Sequence, residues 1–493
     1  MPDISCPLAQ AAIDYGDQIA LVSDKDTINY RRYNQLVAST AVTLRQKGVQ
    51  PHSRVAIIAD NCIEYPILLM ALIRLGAVAC PVSTRWPTEM ILSYMTRIGC
   101  SHLIAEEWPI PAALRLRSGR LPARKPLNVQ TLEVVVRLNV ESDAASSNVT
   151  LNTNQDATII ATSGTTKSPK GVLHTFGNHY SSALGSNKNI ALGPGDRWLV
   201  SLPLYHVGGL AILFRTILAG AAVVIPAKSD NIASIIKRDD ASHLSLVPTQ
   251  LHRLMRDRAG LEDARRVKAI LVGGGYTPEI LLSEAVDNGL PVHTTYGLTE
   301  MASQVTTSKP EASPAELRTS GKLLPYRELR ISENGEILVR GDTLFRGYVE
   351  SDRLRLTIDD KGWFHTGDMG ALDDEGCLTV HGRQDNMFIS GGENIYPEPI
   401  EAALLSIEGV EESVVVGVSD AEFGYRPVAF VRMSFGVDMD TEKLRLRLRL
   451  HLPGHMLPVA VYPWPEETNS VGLKPDRWYM TELAQELQSS KDR

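Results

Sequence analysis

Thr162-Ser163-Gly164-Thr165-Thr166-Lys167-Ser168-Pro169-Lys170-Gly171 follows an apolar run, Ala157-Thr-Ile-Ile-Ala161, and precedes a segment of helical character from about Asn178. The apolar run reads as the end of a strand. Gly164 and Gly171 free the backbone so that N–H groups can be aimed at an anion. Thr162, Ser163, Thr165 and Thr166 add hydroxyl donors, and Lys170 adds a positive charge. A Walker A loop is excluded, because Pro169 stands where its second glycine would be. On composition alone the stretch reads equally well as a polar surface loop.

On either side of this stretch the chain alternates short apolar runs with longer amphipathic ones. Residues 54–59 have a buried-strand pattern, 61–75 a helix pattern and 77–82 a second strand pattern. The alternation returns with strand patterns at 198–202, 222–225, 243–247 and 268–272. This predicts an α/β fold with parallel sheets covered by helices. Between residues 105 and 157 the pattern dissolves into prolines and basic residues, read as a solvated loop, with a contact to coenzyme A phosphates as the weaker alternative. Residues 338–349 and 377–381 read as short strands of a β-rich subdomain. Beyond residue 384 the texture becomes that of a small α+β unit: a helix from about 399, strands at 414–418 and 428–433, and a further helix. The expected domains are therefore residues 1–384 and 385–493. Leu444-Arg-Leu-Arg-Leu-Arg-Leu450 alternates with period two, which favours a strand, yet Leu and Arg are good helix formers; a helix is expected.

With 493 residues the chain exceeds one ordinary domain and has material for large cores. A net charge of −7 argues against general nucleic-acid binding. The five cysteines have no paired spacing, which points to reduced thiols in the cytoplasm. Neither a secretion signal nor a membrane-inserting span is read in the sequence; the most apolar stretch, residues 210–225, contains Arg215 and is too short to span a bilayer. Whether the chain forms a homo-oligomer is left open.

Three later segments bear on the opening loop. Tyr296-Gly-Leu-Thr-Glu300 follows a strand-like run. Phe364-His-Thr-Gly-Asp-Met-Gly370 holds an Asp beside a glycine. Gly382-Arg-Gln-Asp-Asn386 leads into Met387-Phe-Ile-Ser-Gly-Gly-Glu-Asn-Ile-Tyr-Pro397. In this order the four segments resemble the core motifs of the adenylate-forming superfamily of acyl-CoA ligases, luciferases and adenylation domains. The resemblance spans nearly the whole chain. It implies an AMP-forming acid–thiol ligase with Mg²⁺ as cofactor and ATP and coenzyme A as co-substrates, built from a large N-terminal domain and a small mobile C-terminal one.

The resemblance also implies roles. The loop holds the β- and γ-phosphates, with Lys167 departing from an expected glycine. Tyr296 lies against adenine, with Gly274 and Gly275 lining the nucleotide and acyl pockets, although a glycine run is also a simple turn. Thr299 contacts the α-phosphate and Glu300 helps to hold Mg²⁺. Asp368 binds the ribose hydroxyls, Arg383 binds ribose or phosphate, and Asp385 is the hinge. Lys474 is the expected catalytic lysine, although Leu473 separates it from Gly472, where the family usually has a glycine directly before lysine.

Two segments, His174-Thr-Phe-Gly-Asn-His179 and the stretch from Asp196 to Arg215, are similar to the branch that ligates o-succinylbenzoate to coenzyme A on the way to menaquinone or phylloquinone. That acid has two carboxylates, and the one not activated needs a cation. Arg215 is the expected partner, since guanidinium matches a carboxylate bidentately; a structural ion pair is the alternative. His206 either lines the acyl pocket or is a core histidine. Another aryl- or acyl-CoA ligase, an adenylation enzyme serving a carrier protein, and an inactive nucleotide-binding paralogue remain the competing functions.

Overall fold

A computed structural model describes residues 3–106, 128–138, 149–162, 169–350, 353–450, 452–465 and 477–489. Two large sheets organise the first two-thirds of the chain. In the eight-stranded sheet, Asp156–Thr162, Val78–Pro81, Arg54–Ile58, His102–Ala105 and Asn128–Thr131 run parallel. Lys170–Thr175, Gly347–Glu350 and Arg353–Arg355 extend that sheet antiparallel. In the nine-stranded sheet, Val292–Leu298, Ala269–Val272, His243–Leu246, Arg197–Leu199, Ala222–Val224 and Ile19–Val22 are parallel. Ser303–Thr307, Lys322–Leu323 and Thr27–Asn29 complete it antiparallel at the two margins.

Side-chain alternation along the strands builds the layers. Val55, Ile57, Trp198, Val200, Ala269 and Leu271 share one core between the sheets, which also takes in the helices Glu64–Arg74, Phe176–Asn189 and Val207–Ala219. Leu199, Ile270 and Val272 point to the opposite face of the nine-stranded sheet, beneath Ile232–Arg238, Pro248–Arg256 and Glu279–Asp287. Ala56 and Ile58 do the same for the eight-stranded sheet, beneath Thr88–Arg97. The α/β expectation therefore holds. Among the described residues no helix is long and apolar enough to cross a membrane.

A four-stranded antiparallel sheet follows, in the order Arg327–Ile331, Glu336–Gly341, Phe364–Leu372, Leu378–Arg383. The last sheet joins Glu393–Ile395, Phe388–Ser390, Gly424–Met433, Val410–Asp420 and Ala460–Pro463, with the helix Pro397–Leu405 against it. The Leu/Arg alternation forms a helix, Thr441–Leu448. Leu444 and Leu448, four apart, are buried on one face, while Leu446 and Leu450 are exposed.

One expectation needs correction. The run from 128 to 138 is not a solvated loop: Asn128–Thr131 is an edge strand, and Leu132, Val135 and Val136 are buried. Its Asn-Val-Gln-Thr sequence is only half-buried at a sheet edge, so it lacks an apolar pattern. Residues 107–127 and 139–148 lie outside the described residues. The helix expected from about Asn178 is present at Phe176–Asn189, with a strand between it and the loop. Lys170 and Gly171 open that strand, which pairs antiparallel with Asp156–Thr162, Val172 facing Ile160.

That helix start is tied into the sheets by Asn178. Its amide oxygen accepts from the Thr175 N–H at 2.8 Å, while the Thr175 hydroxyl accepts from the Asn178 N–H at 3.1 Å. The Asn178 amide nitrogen donates to the Asp342 and Leu344 carbonyls at 2.8 and 2.9 Å. All of this is buried or nearly so, where an orphaned group costs its full desolvation. Asn178→Ala should lower the unfolding free energy by about 2–4 kcal/mol, read as a lower urea midpoint with an unchanged slope; Thr175→Ala, which loses only the cap, should cost about 1 kcal/mol.

Candidate active site

The strand Val292–Leu298 is irregular where it pairs with Ser303–Thr307: the register shifts between Tyr296 and Gly297. A single 3-10 turn, Thr299–Met301, follows, and then Ala302 and Ser303 take positive φ values of 52° and 114°. A Cβ on Gly297 would lie 2.3 Å from the Ser303 carbonyl oxygen, so only glycine lets the chain fold back this closely. The result is a tight reversal that displays Tyr296, Thr299 and Glu300 together. Its backbone is secured from outside: His174 Nε2 donates to the Thr299 carbonyl at 2.7 Å, and the Phe345 N–H to the Glu300 carbonyl at 2.8 Å. Burial holds His174 at about 4, so it is neutral and its Nε2 carries the proton.

Two chains of contacts radiate from this reversal. In the first, the Tyr296 hydroxyl donates to Asp368 Oδ2 at 2.7 Å, and Arg383 Nη1 lies 3.1 Å from Asp368 Oδ1. Asp368 and Arg383 are direct partners across the strands Phe364–Leu372 and Leu378–Arg383. Arg383 Nη2 stands 4.0 Å from Asp385, which is 63% exposed. In the second chain, the Tyr348 hydroxyl donates to Glu300 Oε1 at 2.6 Å, and Lys170 Nζ sits 5.0 Å from the centre of the Tyr348 ring. Burial raises the Glu300 carboxyl above its ordinary range, against the opposing pull of the Tyr348 hydrogen bond; Arg383 lowers it and Asp368 raises it, so the two chains share one field.

Glu300 offers a hard carboxylate oxygen of the kind Mg²⁺ prefers. Among the described residues no cluster of three His, Cys, Asp or Glu could hold a metal. One carboxylate plus phosphate oxygens is the usual way of holding Mg²⁺ beside a nucleotide, and the residues fit it. Gly274 has a φ of 79° and serves the turn after Ala269–Val272, whereas a Cβ on Gly275 would meet nothing within 4 Å, leaving open space beside it.

Behind the reversal lies the helix Val207–Ala219. His206 precedes it; its Nε2 is buried without a partner, and burial, with Arg85 nearby, holds it at about 4. Arg215 is 1% exposed. Its Nη2 donates to the Ser303 hydroxyl at 3.1 Å, its guanidinium carbon lies 5.3 Å from the Trp198 ring, and its Nε has no partner. Burial depresses it to about 9, and among the described residues no carboxylate pairs with it. The structural ion pair that would explain a buried arginine is thus missing there. Residues 163–168, with Ser163, Gly164, Thr165, Thr166 and Lys167, lie outside the described residues, as does Lys474; Thr162 ends its strand.

Residues 8–349 match the model of the AMP-binding enzyme family, and residues 399–470 match that of the AMP-binding enzyme C-terminal domain. The chain belongs to the AMP-binding enzyme family. Among curated family members, it is 34% identical over 466 residues to a 2-succinylbenzoate–CoA ligase of Geobacillus kaustophilus, covering 92% of this chain and 93% of that one. It is 36% identical over 437 residues to that of Bacillus cytotoxicus, covering 86% and 87%. Among solved structures, o-succinylbenzoate CoA synthetase (MenE) from Bacillus subtilis with the acyl-adenylate OSB-AMP superposes with a TM-score of 0.84 at 28% identity, covering 97% of this chain and 98% of that one. The same enzyme with ATP and magnesium gives 0.83 at 28%, covering 97% and 100%.

The family motifs are brought together in space: Tyr296, Glu300, Asp368, Arg383 and Lys170 form the two contact chains, and Arg215 reaches the far side of the same reversal. His206 makes no hydrogen bond to any of them. Sequence reasoning missed Tyr348, which has no motif of its own and arrives only because its strand pairs with Lys170–Thr175. It also gave His174 no role, although that residue opens one of the quoted segments. Replacing Tyr348 by Phe removes the bond that lowers the Glu300 carboxyl, so the pKa of Glu300 should rise. The acidic limb of the pH–rate profile for ATP-dependent pyrophosphate release should move to higher pH, with the alkaline rate little changed; a fixed limb would show that Glu300 is not the titrating group.

Proposed function

We propose that this chain joins o-succinylbenzoate to coenzyme A, forming an acyl adenylate from ATP and releasing pyrophosphate and then AMP, as a step of menaquinone or phylloquinone synthesis. The observation that carries the choice of acid is the buried Arg215 guanidinium, which has an unpartnered Nε and no described counter-ion. A second, unreacting carboxylate is the anion it lacks. The similarity to 2-succinylbenzoate–CoA ligases supports the same reading.

In the first half-reaction a carboxylate oxygen of the succinyl side chain bonds to the α-phosphorus of ATP, and the bond to pyrophosphate breaks. Negative groups must approach one another, so charge must be offset by fixed donors. We assign this to Lys474, to Lys170 and the hydroxyls and N–H groups of residues 162–171, and to Thr299 at the α-phosphate. When bound at Glu300, Mg²⁺ supplies further neutralisation of the phosphates. Tyr296 flanks the adenine, and Asp368, with Arg383 beside it, receives the ribose hydroxyls. In the second half-reaction the coenzyme A thiol gives up its proton, its sulfur bonds to the acyl carbon, and AMP leaves. Lys474 is needed only in the first, so residues 385–493 are proposed to rotate about Asp385 between the two, as a gating motion. The five free thiols support a reducing, cytoplasmic setting.

The decisive experiment is pyrophosphate release with o-succinylbenzoate, with and without coenzyme A. Release with the acid alone and thioester formation once coenzyme A is added support the reading; release only with other acids points to a different ligase, and no release with any acid to an inactive paralogue. Lys474→Ala should lose most adenylation yet still convert synthetic acyl adenylate to thioester, so equal losses in both would overturn its assignment. Arg215→Ala should lower kcat/KM for o-succinylbenzoate by about 30-fold to several thousand-fold, the loss of roughly 2–5 kcal/mol expected when one partner of a desolvated charge pair is truncated. Against 4-oxo-4-phenylbutanoate, which lacks the ring carboxylate, its preference should vanish. Equal losses on both acids would make Arg215 structural.

A further inference from the structure

A second arginine is buried beside the first. Arg327 is 5% exposed and opens the strand Arg327–Ile331. Its Nε donates to the Gln304 carbonyl at 2.6 Å and its Nη1 to the Pro325 carbonyl at 2.6 Å. Its Nη2 donates to the Ser182 carbonyl and hydroxyl at 3.2 and 3.1 Å. Every one of these acceptors is neutral. Arg215 binds Ser303 and Arg327 binds Gln304, so the two guanidiniums grip adjacent residues of one strand. Burial depresses Arg327 to about 9, and the Arg215 charge adds to that depression.

The site is shaped to admit this cation. A Cβ on Gly185 would stand 2.3 Å from Arg327 Nη1 and 2.8 Å from the Pro325 carbonyl oxygen. Any larger residue there would displace the guanidinium. Two mutually repelling charges, held by neutral dipoles and one aromatic ring, are an expensive way to fix a strand; apolar residues of similar size do it at lower cost. Nearby polar atoms also remain unused: Arg215 Nε, Gln304 Oε1 and Asn187 Oδ1 are buried without partners, and Asn187 itself holds the Arg215 carbonyl at 2.9 Å.

We propose that Arg327 is a specificity-determining positioning residue, a second buried cation that makes the pocket at Arg215 demand an acid carrying a second carboxylate. Its donors are taken up by the protein, so it acts through its charge and by holding Ser303 and Gln304 where Arg215 meets the substrate. An incoming carboxylate relieves the repulsion between the two guanidiniums, whereas a neutral ring leaves it in place. The inference rests on the o-succinylbenzoate reading and extends it to a residue outside every motif.

The test compares kcat/KM for o-succinylbenzoate with that for 4-oxo-4-phenylbutanoate in Arg327→Gln, Arg327→Lys and Gly185→Ala. Arg327→Gln should shrink the ratio of the two by about tenfold or more, ~1.4 kcal/mol per decade, chiefly through KM for o-succinylbenzoate. Arg327→Lys, which keeps the charge, should recover most of the ratio. Gly185→Ala, which pushes the guanidinium away, should behave like Arg327→Gln. An unchanged ratio with both acids equally impaired, or a lysine variant as poor as glutamine, would make Arg327 a structural residue and overturn the proposal. Failure of both Arg327→Gln and Gly185→Ala to fold would do the same. If the wild-type chain releases no pyrophosphate with o-succinylbenzoate, the function reading itself fails; if it does and only the ratio stays put, this inference alone fails.

Discussion

The backward fold of the chain at residues 296–303 is the constraint on which the rest depends. Left-handed backbone at Ala302 and Ser303 costs of order 1–3 kcal/mol at each residue and persists only where surroundings over-determine it. They do so here. His174 holds Thr299, Phe345 holds Glu300, the Ser182 hydroxyl donates to the Ala302 carbonyl at 2.7 Å, and Arg327 holds Gln304. Each anchor comes from a different part of the fold. Because the reversal is so tight, residues a few positions apart look in opposite directions: Tyr296 and Glu300 toward Asp368 and Tyr348, Ser303 toward Arg215. One short segment therefore meets two separate groups of side chains.

The groups of this site cluster where the sheets change direction. The parallel centres, built from strands such as Arg54–Ile58 and His243–Leu246, bury almost every side chain and carry no site residue. Lys170–Thr175 and Ser303–Thr307 are the first antiparallel strands on the margins of the two large sheets. Antiparallel pairing allows short connections, and short connections bring polar side chains from both arms of a hairpin to one end. Asp368 and Arg383 repeat the pattern in the four-stranded sheet, facing each other across a hairpin.

Much of this was legible in the sequence, and the division follows physical lines. Local patterns located the buried strands at 54–58 and 269–272 to within a residue or two, because a strand covered on both faces must be apolar throughout. The motifs located Tyr296, Glu300, Asp368 and Arg383, since each lies in a short segment with glycine beside polar residues. What stayed hidden was pairing. Nothing near Tyr348 announces that it meets Glu300, because the contact is made by strand register over almost fifty residues. Arg327 was likewise invisible: its burial depends on Gly185, far away in the chain. The strand Asn128–Thr131 was missed for the opposite reason, as an edge strand needs little apolar content. Arg215 was visible because a lone cation interrupts an apolar run, and its surroundings supply the missing half of that argument.

The helix Glu64–Arg74 carries a consequence for how the protein is made. Nine of its eleven residues, from Tyr65 to Ile73, are buried, so it has no face suited to water. It belongs to the same continuous core as Trp198, Val223 and Leu271, which lie up to about 200 residues further along the chain. At ribosomal rates that interval corresponds to roughly 10–40 s, during which the helix must wait with part of its apolar surface uncovered. The early strands alone give it only some of its shelter. The two large sheets should therefore behave as a single cooperative unit, and a chain interrupted before residue 270 would expose a sticky intermediate, the kind of species that chaperones bind.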